Sequence, residues 1–477
     1  MEIIMNLKSI YGDKPFWKKT LRLAFPIAMQ NLLAASFSMV DTFMVAGLGG
    51  TVLSAVGMAS QFTWIMNSIV FGFASGTAIF ASQYWGAGDK KAIRRTQGMA
   101  LLSTFLISLL FCTFGFFLSE PIISLFSGTA AVIKCGGQYI RYVCWSYIPN
   151  ALIFILCTVL RSTESVKLPV VISGGTSLLN VFLNYCLIYG ALFFPEMGAA
   201  GAALATSLSN WTMLFVLVLI CAVKKNICWA PPRELFGFGI KHIKEFMSKA
   251  VPSTANETVW AMGTAVMNAI ISNMGDDYYA GVTILRTVEN VVFVFAIGLC
   301  NACCIIVGKS IGAGEIKQAK NDTVRFCFIM PVLSIFTGLC MFLLRYPIVN
   351  LFTMSGEYTP LAISSAIICM SVYSFVMPVR NIPFLMIVGV FRPGGDAKTG
   401  MILDLVPLWC ISIPVTFILA YVVKLPFTAV FWLMYALEDI PKAAVCIKYY
   451  LTEKWIRPVT DAGIKGLEKY KAEKIET

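Results

Sequence analysis

Long apolar stretches recur along this chain, each about the length of a membrane crossing and each ended by charged or Gly/Pro-rich punctuation. Hydrocarbon offers no water to backbone N–H and C=O groups, so a stretch of ~20 apolar residues that crosses it must satisfy them internally, as a helix does. The pattern predicts twelve spans, near 21–48, 52–83, 97–118, 138–160, 168–192, 198–223, 249–274, 280–309, 325–344, 362–390, 401–423 and 426–450. With 58% hydrophobic and only 13% charged residues over 477 positions, an ordinary soluble enzyme is excluded. The first stretch, from near Leu23 past Val45, is too long and too late for a cleaved leader, so none is expected.

The cations are distributed unevenly. Placing the N-terminus inside puts 31 of the 37 Lys and Arg residues in internal segments, beginning with five between Lys8 and Arg22 and ending with eight from Lys442 onward. External loops then hold Lys134, Arg345 and Lys424, and Arg141, Arg286 and Arg380 fall at span ends or within spans. By the positive-inside rule the chain is expected to be a multi-pass membrane protein with both termini in the cytoplasm. The net charge of +12 is then accounted for by loops facing anionic lipid, with no nucleic-acid partner implied.

A constant offset of 226 aligns Pro26 with Pro252, Gly49 with Gly275, Gly72 with Gly298 and Ile79 with Ile305. Gly86-Ala87-Gly88-Asp89 likewise answers Gly312-Ala313-Gly314-Glu315, and after a five-residue shift Arg161 and Lys167 answer Arg392 and Lys398. The chain therefore reads as an all-α membrane protein of two homologous six-helix lobes related by a pseudo-two-fold along the membrane normal. The expected organisation is an N-terminal lobe over 1–223, a cytoplasmic linker over 224–248, a C-terminal lobe over 249–450 and a cytoplasmic tail over 451–477.

Ionisable residues inside spans are costly and mark function by default. In span one, Gln30, Ala34, Phe37 and Asp41 share a stripe, with Asn31, Ser38 and Thr42 beside it. In span five, Ser173, Ser177, Asn180 and Asn184 form a second polar stripe. If the two meet, a carboxylate among amide and hydroxyl oxygens suits a proton or a dehydrated sodium ion; the alternative is that Asp41 only ties helices together. In the second half Ser253, Glu257, Trp260, Thr264 and Asn268 share a face just past Pro252. Glu257 could attract a cationic substrate or the coupling ion, or snorkel to the interface, and Trp260 offers a ring for cation–π contact. Arg286 with Glu289, and Asp439 with Lys442, stand three apart and read as local pairs. Arg380 and Asn381 lie in the Pro-interrupted part of span ten, a candidate flexible element in which Asn381 is assigned to the second lobe's binding face. Cys300, Cys303 and Cys304 read as helix packing, and His242 as a solvated loop residue.

At Met39-Val40-Asp41-Thr42 with Gly47, Gly86–Asp89, Arg161–Pro169, Asn180–Gly190, Asn256-Glu257 with Trp260, Gly389–Lys398 and Glu438–Trp455, the sequence resembles the multidrug and toxic compound extrusion (MATE) transporters, particularly a DinF-like and MepA-like bacterial branch. The resemblance covers nearly the whole chain. It implies export of organic, often cationic, small molecules against an inward flow of protons or sodium ions by alternating access, by a monomer in lipid needing no cofactor beyond the coupling ion. It also assigns Asp41, Asn180, Asn184 and Thr206 to the family's N-lobe cation site. Many relatives carry Asp where this chain has Asn184, which weakens a two-carboxylate sodium site and favours protons.

The runner-up is a lipid-linked oligosaccharide flippase of related helical plan. It would need several intramembrane cations for a diphosphate, whereas Arg286 and Arg380 are the only evident ones. A membrane enzyme is disfavoured because Asp276-Asp277 lacks a second acidic pair and no HExxH motif or P-loop Lys-Ser/Thr occurs.

Overall fold

The computed structural model describes residues 12–353 and 358–476, and these are helical almost throughout. Lys8, counted among the cations above, lies outside them. Ten helices are long and apolar enough to cross a membrane: α1 (Lys14–Ala46), α2 (Gly50–Ala87), α3 (Lys90–Phe117), α4 (Ala130–Ser162), α5 (Lys167–Tyr189), α6 (Ala199–Val223), α8 (Asp276–Gly312), α9 (Ile316–Phe352), α10 (Pro360–Phe391) and α11 (Ala397–Val422). Two further long helices, α7 (Ile240–Ser272) and α12 (Phe427–Leu451), carry more charge. A last helix, α13 (Asp461–Glu476), is polar. The chain is an all-helical, multi-span membrane protein.

The 226 offset governs helix ends as well as residue identities. Lys14–Ala46 shifted by 226 coincides with Ile240–Ser272, and the start of α2 at Gly50 coincides with the start of α8 at Asp276. Helices run several residues beyond the apolar windows because their charged ends, Lys14–Thr20 in α1 and Ile240–Glu245 in α7, continue the backbone ladder outside the hydrophobic stretch. His242 is on the first turn of α7, with Nε2 2.9 Å from Arg95 Nη1, and so is not a loop residue.

The chain packs as two units, with three of the four boundaries inside helices and one in the loop at Gly88–Asp89. One, here the N-half unit, comprises Met29–Ala81 and Asp89–Thr254. The other, the C-half unit, comprises residues up to Ala28, Ser82–Gly88 and Ala255 onward. The first part of α1 thus belongs with the second half of the chain, and the first part of α7 with the first half.

Glycine makes both placements feasible. In the N-half unit a Cβ on Gly72 would sit 2.2 Å from Thr254 Cα. At the positions 226 later, in the C-half unit, a Cβ on Gly298 would sit 2.9 Å from Ala28 Cβ. The loop motif shows the same reciprocity: a Cβ on Gly86 would meet the Lys309 carbonyl oxygen at 2.0 Å, and one on Gly312 would meet that of Gln83 at 2.0 Å. Lys309 is itself Gln83 displaced by 226. In a membrane such close backbone approach supplies the van der Waals contact that drives helix association.

Each unit has its own apolar core. Met66, Val70, Cys144, Tyr147 and Ala151 are central in the N-half unit, and Leu285, Cys369, Tyr373, Val430 and Phe431 in the C-half unit. Three π-helical turns, Leu385–Phe391, Pro407–Ser412 and Ile418–Val422, interrupt α10 and α11. The segment after α12 is stitched to the C-half unit. Trp455 is fully buried, the Val459 N–H donates to Gln83 Oε1 at 2.8 Å, and the Thr460 hydroxyl donates to the Gly312 carbonyl at 2.8 Å. Burial alone would raise the Glu453 carboxyl, but hydrogen bonds from Lys320 and Lys474 outweigh it and hold the group below its usual range.

Gly312→Val is expected to destabilise the protein by about 1–3 kcal/mol through overpacking. Gly57→Ala, at a helix position with open space around it, should leave stability unchanged. Thermal unfolding of the two purified variants checks the difference.

Candidate functional site

The two stripes read from the sequence meet. Asp41 on α1 and Asn180 and Asn184 on α5, all in the N-half unit, come together with Asn184 Nδ2 donating to Asp41 Oδ1 and lying 3.3 Å from Asn180 Oδ1. Helical spacing explains the arrangement, because Asn180 and Asn184 are one turn apart and so present stacked amides to one point on α1. Tyr189, five residues further and not singled out in the sequence, donates its hydroxyl to the Met44 carbonyl at 3.2 Å and pins the same two helices.

Asn184 is fully buried, and its own Oδ1 is without a hydrogen-bond partner. The amide therefore stabilises a carboxylate through Nδ2, and after rotation about its terminal torsion it can instead accept the proton of a neutral Asp41 through Oδ1. Among the described residues no Lys or Arg forms an ion pair with Asp41. The rest of the predicted site is less engaged. The Thr206 hydroxyl is turned onto its own helix, donating to the Ala202 carbonyl at 3.0 Å, and Ser173 does the same to Val170 at 3.1 Å.

The C-half unit handles its charges differently. Glu257 is paired: Arg392, 2% exposed, places Nη2 2.7 Å from Glu257 Oε1. Arg286 and Glu289 do pair, at 3.2 Å, with the Tyr373 hydroxyl donating to Glu289 at 2.8 Å. Asp439 and Lys442, three apart, do not pair with one another. Asp439 accepts from Arg380 at 3.4 Å, while Lys442 sits 2.8 Å from Asp404 and 2.9 Å from Glu438. The rule of neighbours at three residues loses here to partners on facing helices, which enclose the charges more completely.

Among the described residues, Arg392 and Lys442 join Arg286 and Arg380 as cations enclosed within this unit, and each of these four faces a carboxylate. Asn381 is fully buried and donates to Ser334 Oγ at 2.8 Å, joining α10 to α9. Trp260 is half-buried on the face of α7 that carries Glu257. No group of His, Cys, Asp and Glu among the described residues has metal-ligand geometry.

Comparison with known proteins is consistent across sequence and structure. The MatE family model matches residues 26–186 and 252–433, leaving out the linker and the tail. A probable multidrug resistance protein NorM of Thermotoga maritima is 24% identical over 92% of this chain and 93% of its own length. An FAD transporter of Shewanella oneidensis is 23% identical over 93% and 96%. A crystal structure of MATE in complex with MaL6 superposes with a TM-score of 0.83 at 16% identity, covering 94% of this chain and 98% of that one. An outward-facing multidrug resistance MATE family transporter of the MOP superfamily gives 0.81 at 17% identity over 93% and 97%.

Arg392→Met strands the Glu257 carboxylate and should cost about 3–5 kcal/mol of stability, the usual penalty for an uncompensated buried charge. Adding Glu257→Gln should recover much of the loss. Thermal unfolding of the single and double variants measures both.

Proposed function

The chain belongs to the MatE family, a family of membrane transporters and not of enzymes, and from that premise we propose that it exports organic, drug-like cations in exchange for protons moving inward. Asp41 carries this reading. It is a carboxylate in a span, hydrogen-bonded by Asn184 and matched by no cation of the protein among the described residues. A lone negative charge at that depth is costly, so it is stable only when hydrated, protonated or facing a bound cation. A proton and a cationic substrate then compete for one charge, and competition coupled to alternating exposure of the site is antiport.

Asn184, in place of a second acid, supports protons over sodium as the coupling ion, because one carboxylate compensates a dehydrated sodium ion less well than two. Thr206 and Asn180 complete the polar surround in this reading, and Trp260 offers an aromatic face to a flat cation. The motifs from Gly86–Asp89 to Gly389–Lys398 support placement in the DinF-like and MepA-like branch, and the split of 31 to 3 cations supports cytoplasmic termini. A flippase for a lipid-linked diphosphate is disfavoured on new grounds: the C-half cations are more numerous than the sequence suggested, but each already faces a carboxylate.

Asp41→Asn fixes the neutral form. It should reach the membrane at near-normal levels, while proton-driven ethidium export from everted vesicles falls to that of vesicles lacking the protein. A well-expressed variant that still concentrates ethidium contradicts the assignment. If a sodium gradient alone drives the wild type, the coupling ion is sodium. Tags at both ends should resist external protease in intact cells, and cleavage of either one overturns the orientation.

A further inference from the structure

Lys442 is 5% exposed, within a helix of a membrane protein, where an ammonium has to be surrounded by oxygen. Its Nζ lies 2.8 Å from Asp404 Oδ1 on α11 and 2.9 Å from Glu438 Oε1 on α12. The second Asp404 oxygen accepts from Asn256 Nδ2 on α7 at 3.0 Å. Asn256 is 2% exposed, and the other atom of the same amide, Oδ1, has no hydrogen-bond partner. Two carboxylates from two helices, one of them held by the Asn256 amide N–H of a third, are the anionic surround a dehydrated monovalent cation requires. Here a cation already occupies that surround, and it is attached to the chain.

We propose that Lys442 is a tethered cation filling a cation seat built by Asp404 and Glu438 and braced by Asn256, so that this seat takes no exchangeable coupling ion. A bare pair of carboxylates in this enclosure would hold whichever small cation arrived, whereas a covalently attached ammonium stays in place through the cycle and reports no gradient. Other C-half carboxylates face a cation each, Glu257 with Arg392, Glu289 with Arg286, Asp439 with Arg380 and Asp322 with Arg325, while Asp404 and Glu438 share Lys442. Asp41 in the N-half unit has no cationic partner among the described residues, whereas a tethered ammonium holds the Asp404–Glu438 seat and leaves Asp41 as the carboxylate open to exchange. This deepens the antiport reading and rests on it, but the test below reads binding and not transport.

The test uses the purified full-length protein with Asp41→Asn as background, so that the first site is neutral. Thermal unfolding is compared in sodium chloride and in choline chloride at equal ionic strength. The Asp41→Asn protein should show no sodium-specific shift. Asp41→Asn with Lys442→Met should gain a saturable, sodium-specific rise of a few degrees, and adding Asp404→Asn should abolish it. Lys442→Gln serves if the methionine variant does not fold. Two results overturn the proposal: a folded Lys442 variant that gains no sodium response, or an Asp41→Asn protein whose own sodium response disappears with Asp404→Asn. The second comparison needs no Lys442 variant. If wild-type protein exports no cation under any gradient, the antiport reading fails while the occupancy of the seat is still decided by these shifts.

Discussion

A charge inside hydrocarbon must be matched or neutralised, and the two units of this protein meet that constraint in different ways. The C-half unit sets the four cations Arg286, Arg380, Arg392 and Lys442 against five carboxylates, Lys442 being shared by Asp404 and Glu438, on packed helices or adjacent turns. Such pairs add little net stability over an apolar core, but breaking one is expensive, so they fix which helix faces which. The N-half unit leaves Asp41 with only the Asn184 amide. In the proposed reading, neutralising that acid falls to a proton or cation from outside the chain.

The same halves share a packing scheme that explains why the 226 offset is so exact at helix ends. Gly72 and Gly298 admit the first part of a long helix from the other half of the sequence, and Gly86 and Gly312 admit backbone at the loop motif. A side chain at any of the four would separate helices that hold the unit together, and lipid offers no hydrophobic force to compensate. The tail adds hydrogen bonds on the Gly312 side only, through Val459 and Thr460, so the two repeats have diverged at this surface.

Much of this was legible in the sequence because it is periodic. Apolar windows and a fixed offset exposed the helices, including α7 and α12, whose charges, Glu257, Glu438, Asp439 and Lys442 among them, dilute their hydropathy. Asp41 and Asn184 were legible because two helical stripes carry them. The Arg392–Glu257 pair spans 135 residues and has no local pattern, so the sequence did not reveal that partner. Lys442 was misassigned to Asp439 because spacing shows only same-helix neighbours, while Asp404 approaches from α11. The Asn381–Ser334 hydrogen bond joins residues 47 apart on different helices and likewise left no local pattern in the sequence.

The central claim is that one uncompensated carboxylate exchanges a proton for a cationic substrate. Its most direct measurement is the number of protons released when tetraphenylphosphonium is added to purified protein in weakly buffered solution, read with a pH indicator. The account predicts release approaching one proton per bound cation in the wild type and none in Asp41→Asn. Equal release from both proteins, or release of sodium in place of protons, would contradict it.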